Sequence, residues 1–127
     1  MTVIDQPERV RFIEHRGFRL LYHDFAGVHD PQDALERIAL ARKKVAAESP
    51  GSVRSLVDVR GSHFNPKVTR ALQELASHNK PYVVASAIVG ASRLHRIILH
   101  AVSRFSNRTF ATFDALEAAK DWLVEQR

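Results

Sequence analysis

The chain has 127 residues and no cysteine, with 45% hydrophobic and 26% charged residues, the proportions of an ordinary globular protein. The lack of cysteine excludes disulfides, thiol nucleophiles, Cys-ligated zinc and iron–sulfur clusters. A formal net charge of +5 favours anionic partners, but the basic residues are dispersed rather than blocked, which argues against specific nucleic-acid binding.

Met1-Thr2-Val3-Ile4-Asp5 lacks the basic and apolar regions of a secretory signal. The longest apolar run, Tyr82 to Val89, is interrupted by Ser86 and is far too short to cross a bilayer. No internal repeat or linker is visible. The expectation is one soluble, cytoplasmic domain over residues 1–127, with a core from about 10 to 124, and no cofactor.

Val10 to Glu14 and Phe18 to Asp24 read as two strands, with Arg16-Gly17 suited to a tight hairpin between them. Asp30-Pro31 then marks a helix start, a capping side chain followed by proline at the first helical position. Ala34, Leu35, Ile38, Ala41 and Val45 follow at helical spacing, and Ser49-Pro50-Gly51 ends the helix. Val53 to Val59 alternates as a third strand. Asn65-Pro66 repeats the cap-then-proline signal ahead of an amphipathic helix carrying Val68, Ala71, Leu72, Leu75 and Ala76. After His78-Asn79-Lys80-Pro81, the run Tyr82 to Val89 has the near-continuous apolar character of a strand covered on both faces.

Gly90-Ala91-Ser92 opens a third helix, in which Leu94, Ile97, Ile98, Ala101, Val102 and Phe105 form an apolar stripe predicted to face the sheet. Arg93, Arg96, His100 and Arg104, with Arg108 just beyond, populate the other side as a basic face. Phe110 to Phe113 is a short strand, and Asp114 with Glu117 has the spacing of a capping box for the last helix, which buries Leu116, Ala119, Trp122 and Leu123. The order ββαβαβαβα implies a mixed, mostly parallel sheet flanked by four helices, with an antiparallel first strand.

In open α/β sheets ligands bind outside the carboxyl ends of the parallel strands. That rim gathers Asp58, Arg60, Ser62, His63 and Asn65 after the third strand and Gly90, Ser92 and Arg93 after the fourth. The helix start at Gly90-Ala91-Ser92, with Arg60 or Arg93 beside it, is one candidate anion site. His23, His29, His63, Asp24 and Asp58 are the residue types of a metal site but lack a tight ligand spacing. Ser62, His63 and Asp58 are the residue types of a hydrolytic set, although no Gly-x-Ser-x-Gly elbow accompanies them. Phe18, Phe25, Val28 and Phe64 near the loops either line an apolar pocket or close the core.

The segment Arg104 to Arg108, then Phe110, Phe113 and Glu117-Ala118-Ala119-Lys120-Asp121-Trp122-Leu123, resembles the STAS/SpoIIAA-like group. Leu56-Val57-Asp58 before an Asn-Pro-capped helix, and His78 to Pro81 before an apolar strand ending in Gly90, fit the same pattern. The resemblance runs from about Val10 to Leu123. It implies a non-enzymatic regulatory module acting through protein partners or self-association at the strand-end rim. Some members are switched by phosphorylation of a serine at the start of the helix after the third strand. Here Asn65 takes the capping position and no serine follows; Ser62 lies upstream and Thr69 one turn in. Other members resemble lipid carriers, which implies, as the alternative, a small apolar or anionic ligand such as a lipid or its headgroup. The pocket for it is expected beside the basic third helix, between the last two helices and the sheet.

Overall fold

These signals resolve into nine elements in the computed structural model, which describes residues 8–127. Met1 to Asp5, read above as lacking a secretory signal, lie outside the described residues. β1 (Val10–His15) and β2 (Phe18–Asp24) form the hairpin, followed by α1 (Pro31–Ala46), β3 (Val53–Asp58), α2 (Pro66–Asn79), β4 (Val83–Val89), α3 (Arg93–Ser106), β5 (Ala111–Phe113) and α4 (Leu116–Glu125). His15 pairs with Phe18, and Arg16 and Gly17 both have positive φ, 52° and 82°. That is the conformation a two-residue hairpin turn demands.

Two of the three acidic or amide caps form as read. The Asp30 carboxylate accepts from Gln32 N at 3.0 Å, and the Asn65 side chain accepts from Val68 N at 2.8 Å. The Asp114–Glu117 box does not form, because α4 starts one residue later: Ala115 is its N-cap, with no side-chain hydrogen bond. A reciprocal box occurs instead at α3, between Ser92 and His95.

The strands lie in the order β1-β2-β3-β4-β5, antiparallel between β1 and β2 and parallel from β2 onward. Each crossover advances one strand in the same direction. Right-handed connections of that kind deliver successive helices to one face. Accordingly α1, α2 and α3 share one core with Leu21, Val53, Val59 and Ile88. Ala119, Leu123 and Trp122 of α4 pack on Leu20, Leu56, Ala87 and Val89 on the opposite face. No helix among the described residues is long and apolar enough to cross a membrane.

α3 departs from the reading of its stripe. Its buried residues are His95, Val102 and Ser106, whereas Leu94, Ile97 and Phe105 are 51%, 64% and 58% exposed. With about 3.6 residues per turn, the exposed apolar side lies about a third of a turn from the buried side. The side-chain bonds of His95 fix this rotation: its ring closes the N-terminal cap and reaches across to Ser62, so the helix turns His95 inward and part of its apolar stripe outward.

Candidate functional site

Among the described residues the strand order never reverses, so their sheet has no topological switch point to open a crevice at its carboxyl ends. The rim residues instead bind one another. Asp58, at the end of β3, is wholly buried. Arg60 Nε and Nη2 donate to its two oxygens at 2.9 and 2.7 Å, and the Tyr22 hydroxyl donates at 2.9 Å. Burial by itself raises the pKa of Asp58, but the Arg60 side-chain and backbone donors and Tyr22 outweigh it and hold the carboxyl below its ordinary value. Tyr22 is pushed up to about 12, by burial first and then by its bond to Asp58. Gly90, at φ +78°, fits under Arg60: a Cβ there would lie 2.1 Å from Arg60 Cγ.

Ser62 and Ser92 meet around His95. Ser92 N donates to His95 Nδ1 at 3.0 Å, which leaves the proton on Nε2, and Nε2 lies 3.0 Å from the Ser62 carbonyl. Ser62 Oγ, 3.0 Å from the same nitrogen, donates to Val59 O at 2.8 Å. In that tautomer His95 has no lone pair to take a proton from Ser62, so the contact is not that of a general base and its nucleophile. The Ser62–His63–Asp58 set does not assemble: the imidazole beside Ser62 is His95, and Asp58 is occupied by Arg60 and Tyr22. His63 is exposed and stacks on His29 at 6.4 Å. Asn65 serves α2 as its cap, and the Thr69 hydroxyl donates back to Asn65 O. Arg93 is exposed at the start of α3. No three His, Asp or Glu side chains gather to hold a metal among the described residues.

Beneath α2 and α3 lies a partly enclosed cavity of about 100 Å³. It sits between the second and third helices and the sheet rather than the last two, because α4 covers the other face. Val57, Val59 and Ile88 form its floor, Phe25 and Phe64 one end, and Leu72, Ile98 and Leu99 its roof. Of the loop aromatics, Phe25 and Phe64 therefore line the pocket, meeting edge to face at 5.8 Å. Phe18 is on the surface, with the Arg54 guanidinium 4.8 Å over its ring.

One part of the wall is polar. Ser55 and Ser86 are directly opposite in the β3–β4 register, and His23 stands beside Val57 in the next row. His23 is 2% exposed, and its Nε2 has no hydrogen-bond partner among the described residues. Burial, with Arg108 adding repulsion, pushes its pKa down to about 4. His95, at the other end, is lowered chiefly by burial.

Arg108 corrects the basic face. Arg93, Arg96, His100 and Arg104 are exposed on α3, but Arg108 turns into the cavity wall. Its Nη1 donates to Ala76 O at 3.2 Å and its Nη2 to Ser86 Oγ at 2.7 Å. Asn107 causes the turn. It takes the left-handed conformation at φ 53°, the usual way a helix ends and changes direction. Burial lowers the Arg108 pKa to about 10. The sequence carried signals for this wall in Ser86, the break in an apolar strand, and in the Leu21, His23, Phe25 alternation, which places His23 on the core side.

No family model matches the chain, and no curated protein matches it. Among solved structures, the chain is similar to an uncharacterised protein of the DUF3478 family with a SpoIIAA-like fold from Shewanella loihica PV-4. The two share 16% identity over 90% of this chain and 91% of that one, with a TM-score of 0.69. The fold of this chain is SpoIIAA-like, as the resemblance implied.

Proposed function

We propose that the protein is a non-enzymatic binding domain that takes up a small, largely apolar molecule in the cavity beneath α2 and α3. The observation that carries this reading is the cavity itself, about 100 Å³ lined mainly by Val57, Val59, Ile88, Phe25, Phe64 and Leu72. An apolar cavity of ~150 Å³ accommodates benzene, so the enclosed part of this smaller, partly open cavity takes at most the bulk of a single ring or a short chain and not that of a two-chain lipid. Such partly enclosed apolar pockets with a few convergent polar groups are the usual form of small-ligand sites. Calorimetric titration with hexanol should give saturable binding to the protein, abolished by Val57→Phe, which fills the floor. Absence of heat with the unaltered protein, or equal binding by the variant, would overturn the reading.

A second reading, association with a protein partner or an anionic membrane surface, is favoured by the outer face of α3. Leu94, Ile97 and Phe105 are exposed there among the exposed Arg93, Arg96, His100 and Arg104, a combination that suits an amphiphilic or acidic surface. Co-sedimentation with anionic but not zwitterionic vesicles at low salt, lost in Ile97→Asp, is the membrane outcome. Sedimentation as a dimer abolished by the same change is the self-association outcome. A monomer indifferent to vesicles and unchanged by Ile97→Asp would contradict both.

A further inference from the structure

We infer that the cavity is specific for a small apolar monoanion, a carboxylate on a short hydrocarbon body, received by Arg108, His23, Ser55 and Ser86. The inference rests on the cavity being a ligand site, as proposed above, and adds the chemistry of the ligand.

The sheet places these groups together. Ser55 and Ser86 are paired across β3 and β4 on the cavity floor. His23 is one row along, on the neighbouring strand, where it opposes Val57. Arg108 reaches the same patch from beyond the end of α3 and donates to Ser86 Oγ. All four line the cavity. Two features of the patch lack an internal explanation.

The first is charge. Cations drawn out of water are ordinarily paired with a carboxylate, yet the part-buried Arg108 guanidinium has only neutral partners, a backbone carbonyl, a hydroxyl and the face of the Phe110 ring. No Asp or Glu forms an ion pair with it among the described residues. The second is the orphaned nitrogen. His23 Nε2 is buried without a partner among the described residues, in a cavity where ligand oxygen is the missing acceptor if that nitrogen carries the proton.

A carboxylate answers both needs, accepting from the free guanidinium N–H groups and from His23 Nε2. The charge balance also selects the anion. One guanidinium supplies one positive charge, and His23 is held neutral by its burial. A carboxylate carries one negative charge, whereas a phosphate monoester carries roughly −1.5 to −2 near neutral pH and would leave excess charge buried. The apolar body then lies along Val57, Ile88 and Leu72.

The test compares hexanoate with hexanol, matched in chain length, by calorimetry and by following the His23 ring resonances. Hexanoate is expected to bind at least about tenfold more tightly, the size of effect a charge-assisted hydrogen bond carries. It is expected to raise the His23 pKa, because an adjacent anion favours imidazolium, while hexanol leaves it unraised. Arg108→Met should erase the preference, and Arg108→Lys should keep part of it. The wild-type ring titration reports independently of whether either variant folds. Equal affinity for the two ligands, or a His23 pKa unmoved by saturating hexanoate, overturns the anion specificity while leaving the cavity reading intact. If neither ligand binds, both fall.

Discussion

Arg108 donates to the hydroxyl of Ser86 at 2.7 Å, which draws the guanidinium that follows α3 over β4 and into the cavity wall. The same side chain ties the C-terminal turn of α2, through Ala76 O, to the sheet, and its guanidinium lies 4.8 Å over the Phe110 ring. It is thus both a strut between α2, α3 and β4 and, among the described residues, the only guanidinium lining the cavity. Ser86→Ala removes one of its partners while keeping the small volume. A loss of about 1.5–3 kcal/mol is expected from chemical denaturation, the range for a hydrogen bond to a charged group. No loss would mean that Arg108 finds an equivalent partner in water.

His23 sets an acid limit on stability. Its pKa is about 4 when folded and ~6.5 in an unfolded chain. The unfolded state therefore takes up the proton first as pH falls. The His23 contribution is complete above about pH 6.5 and is lost progressively toward pH 4, by about 3 kcal/mol in all. His95, also lowered by burial, acts in the same direction. Urea unfolding at steps from pH 7 to pH 4 should show the decline, and His23→Leu should flatten most of it. An unchanged slope in the variant would assign the dependence elsewhere.

Gly90 is required by two separate constraints. Its φ of +78° disfavours any side chain, and a Cβ would strike Arg60 at 2.1 Å from Cγ and 3.1 Å from Cβ. Gly17 has a similar φ but open space around it. Gly90→Ala should therefore cost more than Gly17→Ala, which meets only the backbone penalty of about 1–2 kcal/mol. In a double-mutant cycle, Arg60→Ala should recover part of the Gly90→Ala loss, because it removes Cγ and leaves Cβ. Strict additivity would show that the backbone conformation alone sets the cost.

Asp58→Asn tests the rim network. Arg60 is half-exposed, so screening reduces what its ion pair contributes. Tyr22 nevertheless loses the anion that accepts its proton, and its pKa should fall from about 12. The fall should stop short of the ordinary value, since burial is the larger cause. Spectrophotometric titration reads this directly, with Tyr82 as the only other tyrosine to be accounted for. A Tyr22 pKa that does not move would contradict the coupling.

The order of elements was legible because its signals are local: Asp30-Pro31 and Asn65-Pro66 cap helices where they stand, and Arg16-Gly17 turns a hairpin. Asp114 misled because a capping spacing is indifferent to a shift of one residue, which only tertiary packing decides. The candidate site was less legible. Asp58, Arg60 and Gly90 do meet, but they satisfy each other. The cavity depends on pairings such as Ser55 with Ser86 and on how far α3 is rotated, neither of which a single periodic stripe encodes. Arg108, just beyond the helix, reads as part of the outer basic face only if the helical repeat runs on past Ser106. The left-handed Asn107 ends that repeat one residue earlier, and an asparagine after a helix was the available signal.

An amide and methyl chemical-shift titration of the intact protein with hexanoate tests the cavity most directly. Saturable shifts are expected centred on His23, Val57, Leu72, Ile88 and Ile98, together with the Arg108 guanidinium, and little change at Ile97 and Phe105 outside the cavity. Shifts confined to the exposed face of α3, or none at concentrations that saturate comparable small-ligand pockets, would contradict the cavity reading.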